Sequence, residues 1–304
     1  MYLYGLWKMG CGVMNALLSL VSRNNKVFRR DKTLVFFSLL SILIVITLYA
    51  VFLQKMQLDA IKQVTVATPE MTIMVNEWLV AGLLSMIPVT STLAAFSIAI
   101  KDIEMKVTAD FLTAPISRST IQFSYVLNSL VIGFVFSLIA LFGCEVFLVA
   151  TGGNWLSLEA LMKVIGIMLL SVSLASVFNL FLIQFVQSQN AFSTLSTIVG
   201  TLLGFLCGVY VPIGVLPTFA QNLIMYFPIS HTTVLLRETI MHDSLQTVFK
   251  SIPTEHVEVY KLNYGVIYEM NGSIVSSTTS IVIILLTSIA LAFVSISIFK
   301  RAHQ

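Results

Sequence analysis

Long apolar runs constrain this chain more than any other feature of its sequence. Thr33 to Leu53 alone gives about 20 nearly uninterrupted apolar residues, enough for an α-helix to cross a hydrocarbon core of about 30 Å. The 304 residues are 57% hydrophobic and only 10% charged, whereas soluble proteins average roughly 45–50% apolar and about 25% charged residues. We therefore predict an integral membrane protein.

Polar segments separate the apolar runs at spacings that predict an all-α protein with six transmembrane helices. Residues 1–32 precede the first span, Gln54 to Glu77 forms an outer loop, residues 212–238 break the apolar pattern, and residues 239–280 form an outer loop or cap. With the amino terminus inside, eleven Lys and Arg residues are cytoplasmic and six are outside. Both termini are therefore predicted to be cytoplasmic. The predicted spans are 33–53, 78–100, 125–151, 157–185, 195–211 and 281–299.

Residues 1–32 are predicted to form a cytosolic amphipathic helix at the membrane interface. From Asn15 onward, apolar side chains can share one helical face while cations cover the other, as in helices that bind anionic headgroups. The alternative is a basic flank that only sets topology. The charged residues of this segment that we single out are Arg23, Lys26, Arg29, Arg30 and Asp31.

The loop from Lys101 to Ser124 is the most charged internal segment. Residues 101–114 are predicted to form a short amphipathic helix, in which Asp102 and Lys106 pair at i,i+4 and which Pro115 ends. A solvated loop is the alternative. Its candidate contact residues are Asp102, Glu104, Lys106, Asp110 and Arg118.

The stretch from Gly208 to Glu238 is apolar but broken by Pro212, Pro217 and Pro228. Because proline disrupts helix interiors, each apolar piece is too short to cross a bilayer. Broken backbone at membrane depth occurs where protein or a water-filled cavity surrounds it. We therefore predict a re-entrant, path-lining segment, with an outer loop lying among the headgroups as the alternative.

Three glycines form a GxxxGxxxG pattern in the fifth predicted span. Gly200, Gly204 and Gly208 would lie on one helical face and allow another helix to approach closely. The contact could lie within the chain or between subunits.

Glu145 is the ionisable residue well inside a predicted span, and such residues are functional candidates because charge is costly in lipid. If the third and fourth spans form a hairpin centred on Asn154, Glu145 lies nine residues before the turn and Lys163 nine after it. We predict that they pair, with Glu159 one helical turn from Lys163. A pair that fixes helix register is favoured over a proton-coupling site.

Several function classes lack their motifs in this sequence. It contains no GxxxxGK[ST] loop for nucleotide phosphates, no HExxH, and no CxxC spacing among Cys11, Cys144 and Cys207. A net charge of +3 is too small to indicate a nucleic-acid partner. We predict no catalytic site, metal or cofactor in this chain, so that a partner must bind any ATP.

Three segments, in this order, resemble the permease subunits of ABC-2-type exporters. MNALLSLVSRNNKVFRRDKTLVFFSLLSILIV resembles their interfacial helix, basic Arg-Asp element and first span. The loop 101–123, with Pro115 and Arg118, is similar to their cytosolic coupling segment. GVYVPIGVLPTFAQNLIMYFPISHTTVLLRE looks like their late signature. The likeness covers nearly the whole chain, but residues 1–13 and the long insert 239–280 depart from it.

The resemblance implies the type V exporter fold in the plasma membrane, with an interfacial helix, a coupling helix and a re-entrant helical hairpin before the last span. It also implies a complex of two permeases, identical or paralogous, with two ATPase subunits that carry the ATP and Mg²⁺. The helix 101–114 would dock with the ATPase, and the three glycines would lie at the dimer seam. Outer-gate residues would be Pro212, Pro217, Phe227, Pro228, His231 and Arg237.

ATP-driven export of an amphipathic small molecule, lipid-like natural product, drug or peptide toxin is the leading functional prediction. Within the same family, the alternative is a polysaccharide or glycolipid exporter. From other classes, the alternatives are a secondary carrier or channel that uses Glu145, and a sensory or immunity subunit that moves no cargo.

Overall fold

The computed structural model describes residues 2–48, 68–114, 116–250, 252–270 and 272–301. These residues are almost entirely helical, with one short antiparallel hairpin of β1 (Glu269–Met270) and β2 (Ser273–Ile274). The helices are α1 Tyr2–Arg30, α2 Lys32–Leu48, α3 Pro69–Glu104, α4 Val107–Thr113, α5 Arg118–Ala150, α6 Leu158–Ile183, α7 Gln189–Leu206, α8 Thr218–Tyr226, α9 Pro228–Ile240, α10 His242–Val248, α11 Thr254–Asn263 and α12 Ser277–Arg301.

Four helices of the described chain are long and apolar enough to cross a membrane. They are α3, α5, α6 and the Ser277–Ile298 part of α12. The predicted all-α membrane fold is therefore confirmed. The first and fifth predicted spans fall on α2, of which 32–48 are described, and on the 18-residue α7, and the count of six spans stays a prediction.

The second predicted span begins earlier in the structure than the sequence indicated. Pro69 occupies the first turn of α3, where its missing N–H costs nothing and its fixed φ favours a helix. The loop predicted from Gln54 to Glu77 is therefore wrong beyond Thr68, while residues 54–67 lie outside the described chain. The sequence gives no amphipathic signal for this start, because almost every face of the helix is buried.

Helix α3 forms the centre of the bundle, since 83% of its most apolar stretch is buried, against 11% for α12. It packs against α5, α6, α7 and α9. Asn179 of α6 donates from Nδ2 to the Val89 carbonyl and to Thr92 Oγ1, both at 2.8 Å. These bonds lie just after Pro88, inside the helix, so a buried polar side chain joins α6 to α3 at this depth.

The predicted coupling helix has different bounds from those expected. Helix α3 continues to Glu104, Lys106 adopts a left-handed conformation with φ of 60°, and a separate α4 covers Val107–Thr113. The predicted i,i+4 pairing of Asp102 with Lys106 is wrong because the helix ends between them. A charged corner followed by a short helix replaces the single helix 101–114.

Candidate functional site

The first of two polar clusters, the Arg23 cluster, consists of Arg23, Asp102 and Tyr125. Arg23 Nη2 donates to Asp102 Oδ1 at 2.9 Å, and Nη1 contacts the second carboxylate oxygen, so the pair is bidentate. Tyr125 donates its hydroxyl to Asp102 Oδ2 at 2.6 Å. The hydrogen bond from Arg23, together with the negative charge of Asp102, raises the pKa of Arg23 despite partial burial. The cluster joins α1, α3 and α5 through charge-assisted bonds.

Further contacts hold α1 on the bundle beside this cluster. Asn24 Nδ2 donates to Ser124 Oγ at 3.2 Å, and Phe28 meets Phe136 edge to face at 5.8 Å. The Arg23 guanidinium also lies over the ring of Phe111 in α4, 5.4 Å from its centroid. Helix α1 is therefore fastened both to a long apolar helix and to the short α4.

The predicted contact residues of the 101–118 region divide into two groups. Asp102 is only 4% exposed and its carboxylate binds Arg23 and Tyr125, so its role in coupling to the ATPase stays a prediction. Glu104 is exposed and accepts the Gln189 N–H at 3.3 Å. Lys106, Asp110 and Arg118 are exposed, and these three side chains stay candidates for a partner contact.

Three more basic residues of α1 lie at the surface. Lys26, Arg29 and Arg30 are exposed, which keeps them available to headgroups or to a partner. Asp31 lies between α1 and α2, and its Oδ1 accepts the Leu34 N–H at 3.0 Å. It thereby caps the start of α2, since a carboxylate satisfies one of the unpaired amides there. The predicted lipid contact stays a prediction.

The proline-broken stretch forms a helix–break–helix arrangement. Pro212 precedes a 3-10 turn at Ile213–Val215, and Pro217 immediately precedes α8. Phe227 separates α8 from α9, and Pro228 is the first residue of α9. Each proline thus stands at a helix start, where its fixed φ is favourable. A path-lining role for this pair of helices stays a prediction.

His231 connects α9 to its neighbours and is fully buried. Its Nε2 lies 3.0 Å from the Met225 carbonyl oxygen, and its Nδ1 lies 3.1 Å from Ser280 Oγ in α12. A carbonyl can only accept, so Nε2 carries the proton and Nδ1 accepts from the serine in the neutral ring. Burial lowers the pKa of His231, opposed by the bond to Met225. The ring is therefore a neutral link between helices.

The second polar cluster, the Arg237 cluster, surrounds a fully buried arginine. Arg237 Nη2 donates to the carbonyls of Gly208 at 2.7 Å and Cys207 at 3.4 Å. Nη1 donates to those of Tyr264 at 3.0 Å and Gly265 at 3.4 Å. The four carbonyls come from the ends of two helices, α7 and α11. The cation therefore meets the negative ends of two helix dipoles.

Trp78 of α3 completes this cluster. Its ring lies 4.4 Å below the Arg237 guanidinium carbon, and its Nε1 donates to the Tyr264 carbonyl at 2.7 Å. Tyr264 meets the indole edge to face at 5.8 Å and stacks on Tyr260 at 4.3 Å. Nothing in the sequence indicates that Trp78 and Tyr264 meet, because they are 186 positions apart.

The three glycines of the fifth predicted span do not share one open helical face. Gly200 has open space around it, whereas a Cβ at Gly204 would lie 2.0 Å from the Tyr210 ring of the same chain. Gly208 lies beyond the end of α7 with φ of +58°. The predicted continuous stripe is therefore wrong, because the helix ends at Leu206 and the chain folds back over Gly204.

The predicted Glu145–Lys163 pair is also wrong. Glu145 Oε2 accepts the Leu156 N–H at 3.1 Å, so the turn after α5 folds back onto the carboxylate. Lys163 Nζ instead binds Glu159 at 2.7 Å, on the exposed face of α6. The two residues face different surroundings: Glu145 is 6% exposed and Lys163 is exposed.

Among the described residues, no group of three or more His, Cys, Asp and Glu side chains lies together as a metal site. No curated protein matches the chain. The sequence model of a family described as ABC-2 type transporter matches residues 15–241. That range contains α2 to α9 and most of α1, and therefore both arginine clusters except Tyr264 and Gly265. The chain thus belongs to the ABC-2 type transporter family of membrane permeases, which work with a partner ATPase.

Proposed function

We propose that the chain is the permease of an ATP-driven exporter that carries an amphipathic small molecule, lipid-like natural product, drug or peptide toxin out of the cell. It lies in the plasma membrane with both termini in the cytoplasm. A second permease, identical or paralogous, completes the path, and separate subunits bind the ATP and Mg²⁺.

The Arg23 cluster carries this proposal. A permease must convert movement at its ATPase-facing surface into movement of its spans. This requires a rigid contact between that surface and the spans. Arg23 of α1 binds Asp102, at the end of the central helix α3, and lies over the Phe111 ring of α4. Displacement of α1 or α4 therefore pulls directly on the most buried helix of the bundle.

The distribution of features along α3 supports one orientation of the permease relative to its ATPase. Asp102 lies at its carboxyl end beside α1 and α4, whereas Trp78 lies near its amino end beside the proline-broken helices and the insert. The charged, exposed side chains of Lys106 and Asp110 are at the first end. We assign that end to the ATPase and the other end to the outer gate.

Dimerisation through α7 is supported by one glycine and not by the three that the sequence indicated. Of the three glycines, Gly200 has open space around it and can admit a second subunit. Exposed Ile198 and Leu202 are each two residues from Gly200 and therefore lie on the other side of the helix. A second copy that packs at Gly200 would approach the backbone closely.

The decisive experiment reconstitutes the chain with its ATPase in liposomes and measures ATP hydrolysis and ATP-dependent movement of a cationic amphipathic dye. Charge reversal at α4, as K106E with D110K, should lower permease-stimulated hydrolysis and transport by about tenfold, because coupling free energies between sites are typically 1–3 kcal/mol.

The matched control is E258K, which reverses an exposed charge on α11, on the far side from α4. It should leave hydrolysis and transport unchanged. Unaltered coupling in the α4 variant, or dye transport that proceeds without ATP, would overturn the proposal.

A further inference from the structure

The ends of α7 and α11 have the same local structure. After α7, Gly208 donates to the Phe205 carbonyl at 2.9 Å and Val209 to the Gly204 carbonyl at 2.9 Å. After α11, the corresponding bonds are Gly265 to Leu262 at 3.1 Å and Val266 to Lys261 at 2.8 Å. Both are Schellman motifs, in which a glycine with positive φ ends the helix; φ is +58° at Gly208 and +63° at Gly265.

A Schellman motif satisfies the carbonyls one turn back but leaves those at the cap and at the following glycine. In this protein the carbonyls at the cap and at the following glycine are those of Cys207 and Gly208 after α7, and of Tyr264 and Gly265 after α11. The Arg237 guanidinium contacts all four. One side chain therefore completes the ends of two helices that are distant in sequence.

The space around the guanidinium is formed by glycines on three segments. A Cβ at Gly82 of α3 would lie 3.5 Å from Arg237 Nη2 and 2.9 Å from Val209. Cβ atoms at Gly208 and Gly265 would lie 3.5 and 3.0 Å from Nη1. The absence of side chains at these positions lets three backbone segments converge on one cation, with Trp78 below it.

We infer that Arg237 is a positioning residue that fastens the insert to the central helix, so that its residues 242–250, 252–270 and 272–274 move with α3 as one unit when the transporter cycles. This inference rests on the proposed function and gives the insert a role in it. Arg237 and Trp78 are fully buried, so neither touches cargo. The outer side then opens by displacement of the whole unit and not by hinging of the insert alone.

The test is a distance measurement between spin labels on α3 and α11 in the full chain, in lipid nanodiscs with its ATPase. E70C and E258C introduce labels at two exposed positions. Cys11 is replaced by serine, while Cys144 and Cys207 are buried and escape labelling. In the unsubstituted cluster, one narrow distance should persist unchanged between nucleotide-free and ATP-trapped states.

The cluster is then disturbed without removing its charge. G82A inserts one methyl between α3 and the turn after α7 and should broaden or shift the distance; R237K, which cannot reach both helix ends, should broaden it further. The matched control G166A also adds a methyl to a glycine inside a helix, but nothing lies within 4 Å of its Cβ. It should leave the distance narrow.

Transport is measured on the same samples. G82A should retain ATP hydrolysis but lower the number of dye molecules moved per ATP, whereas a variant that merely unfolds would lose both together. A label distance that changes between nucleotide states in the unsubstituted cluster, or stays narrow in both G82A and R237K, would overturn the inference. Because the distance is read without transport, the proposed function can fail while the fastening of the insert stands.

Discussion

The two arginine clusters at opposite ends of α3 both join helices through an arginine side chain, but the arginine binds different partners in each. Arg23 pairs with a carboxylate, and its side chain stays 33% exposed. Arg237 is fully buried and contacts four neutral carbonyls and an aromatic ring. If the Arg23 pair separates, Arg23 can be solvated where it lies, while Asp102, whose side chain is 5% exposed, keeps its bond to Tyr125. Arg237 cannot leave without exposing two helix ends. Water can therefore replace part of the first contact, whereas the second is closed to solvent.

The largest expected effect is therefore the removal of Arg237. R237M keeps the length of the side chain but leaves the four carbonyls without this donor, which should lower the free energy of unfolding by roughly 3–5 kcal/mol, as for other buried polar networks that lose one partner. Unfolding can be followed with a thiol-reactive fluorophore, since Cys144 and Cys207 are buried and free.

The control for this comparison is R118M, which removes an exposed arginine at the start of α5. It should change the unfolding midpoint little, as is usual for surface sites. Equal midpoints for R237M and R118M would show that the Arg237 cluster contributes no more than a surface charge and would remove the contrast with Arg23.

The next effect is expected at Asp102. D102N keeps the shape of the side chain but removes the negative charge that Arg23 and Tyr125 contact. We expect a loss of about 2 kcal/mol, the range for hydrogen bonds to charged groups, and thus less than for R237M.

A double-mutant cycle with R23Q isolates the pair. If the carboxylate and guanidinium act through each other, the losses in D102N and R23Q should be clearly less than additive. Strict additivity would mean that Asp102 acts mainly through Tyr125, and the Arg23 cluster would no longer link α1 to α3.

The sequence predicted the first cluster only in part and the second hardly at all. Hydropathy identified the membrane fold, and proline spacing identified the break before α8, because both signals are local. The burial of Asp102 could not be predicted from the sequence, because a charged residue near a predicted helix end is ordinarily solvated. Arg237 was predicted as an outer-gate residue, but its partners could not be predicted. They are backbone carbonyls, and the order of side chains in the sequence does not indicate where backbone carbonyls lie.

The errors have the same physical origin. Gly208 was counted in a helical stripe because a glycine has the same appearance inside a helix and just beyond its end. The Glu145–Lys163 pairing assumed two straight helices facing each other at equal depth. The turn instead donates its Leu156 N–H to Glu145, a bond that only the loop conformation decides.

His231, which lies in α9 with Arg237, makes the stability of the folded chain sensitive to acid. Burial lowers its pKa in the folded chain, so below about pH 6.5 the unfolded chain binds a proton that the folded chain does not. Stability should therefore decrease as the pH falls below that value, by at most about 1.4 kcal/mol per pH unit.

The variant H231N, which keeps a donor and an acceptor, should show a flatter dependence between pH 7 and 5.5. Tyr268, which meets the His231 ring edge to face at 5.6 Å, does not contribute, because burial raises its pKa to about 12. Identical pH profiles for H231N and the unsubstituted chain would assign the acid sensitivity elsewhere.

The smallest effect is expected for Lys163, whose ion pair with Glu159 is more exposed to solvent than either arginine cluster. Its side chain is 61% exposed and that of its partner Glu159 is 79% exposed, so water and salt screen the interaction and the flexible side chains must be ordered to form it. K163A should therefore change the free energy of unfolding by less than about 0.5 kcal/mol, the usual value for exposed i,i+4 pairs. The same fluorophore assay, at low and high salt, measures it. A loss comparable to that of D102N would mean that Lys163 acts beyond Glu159, as in the predicted pairing with Glu145, and that exposure alone does not rank the charged contacts of this protein.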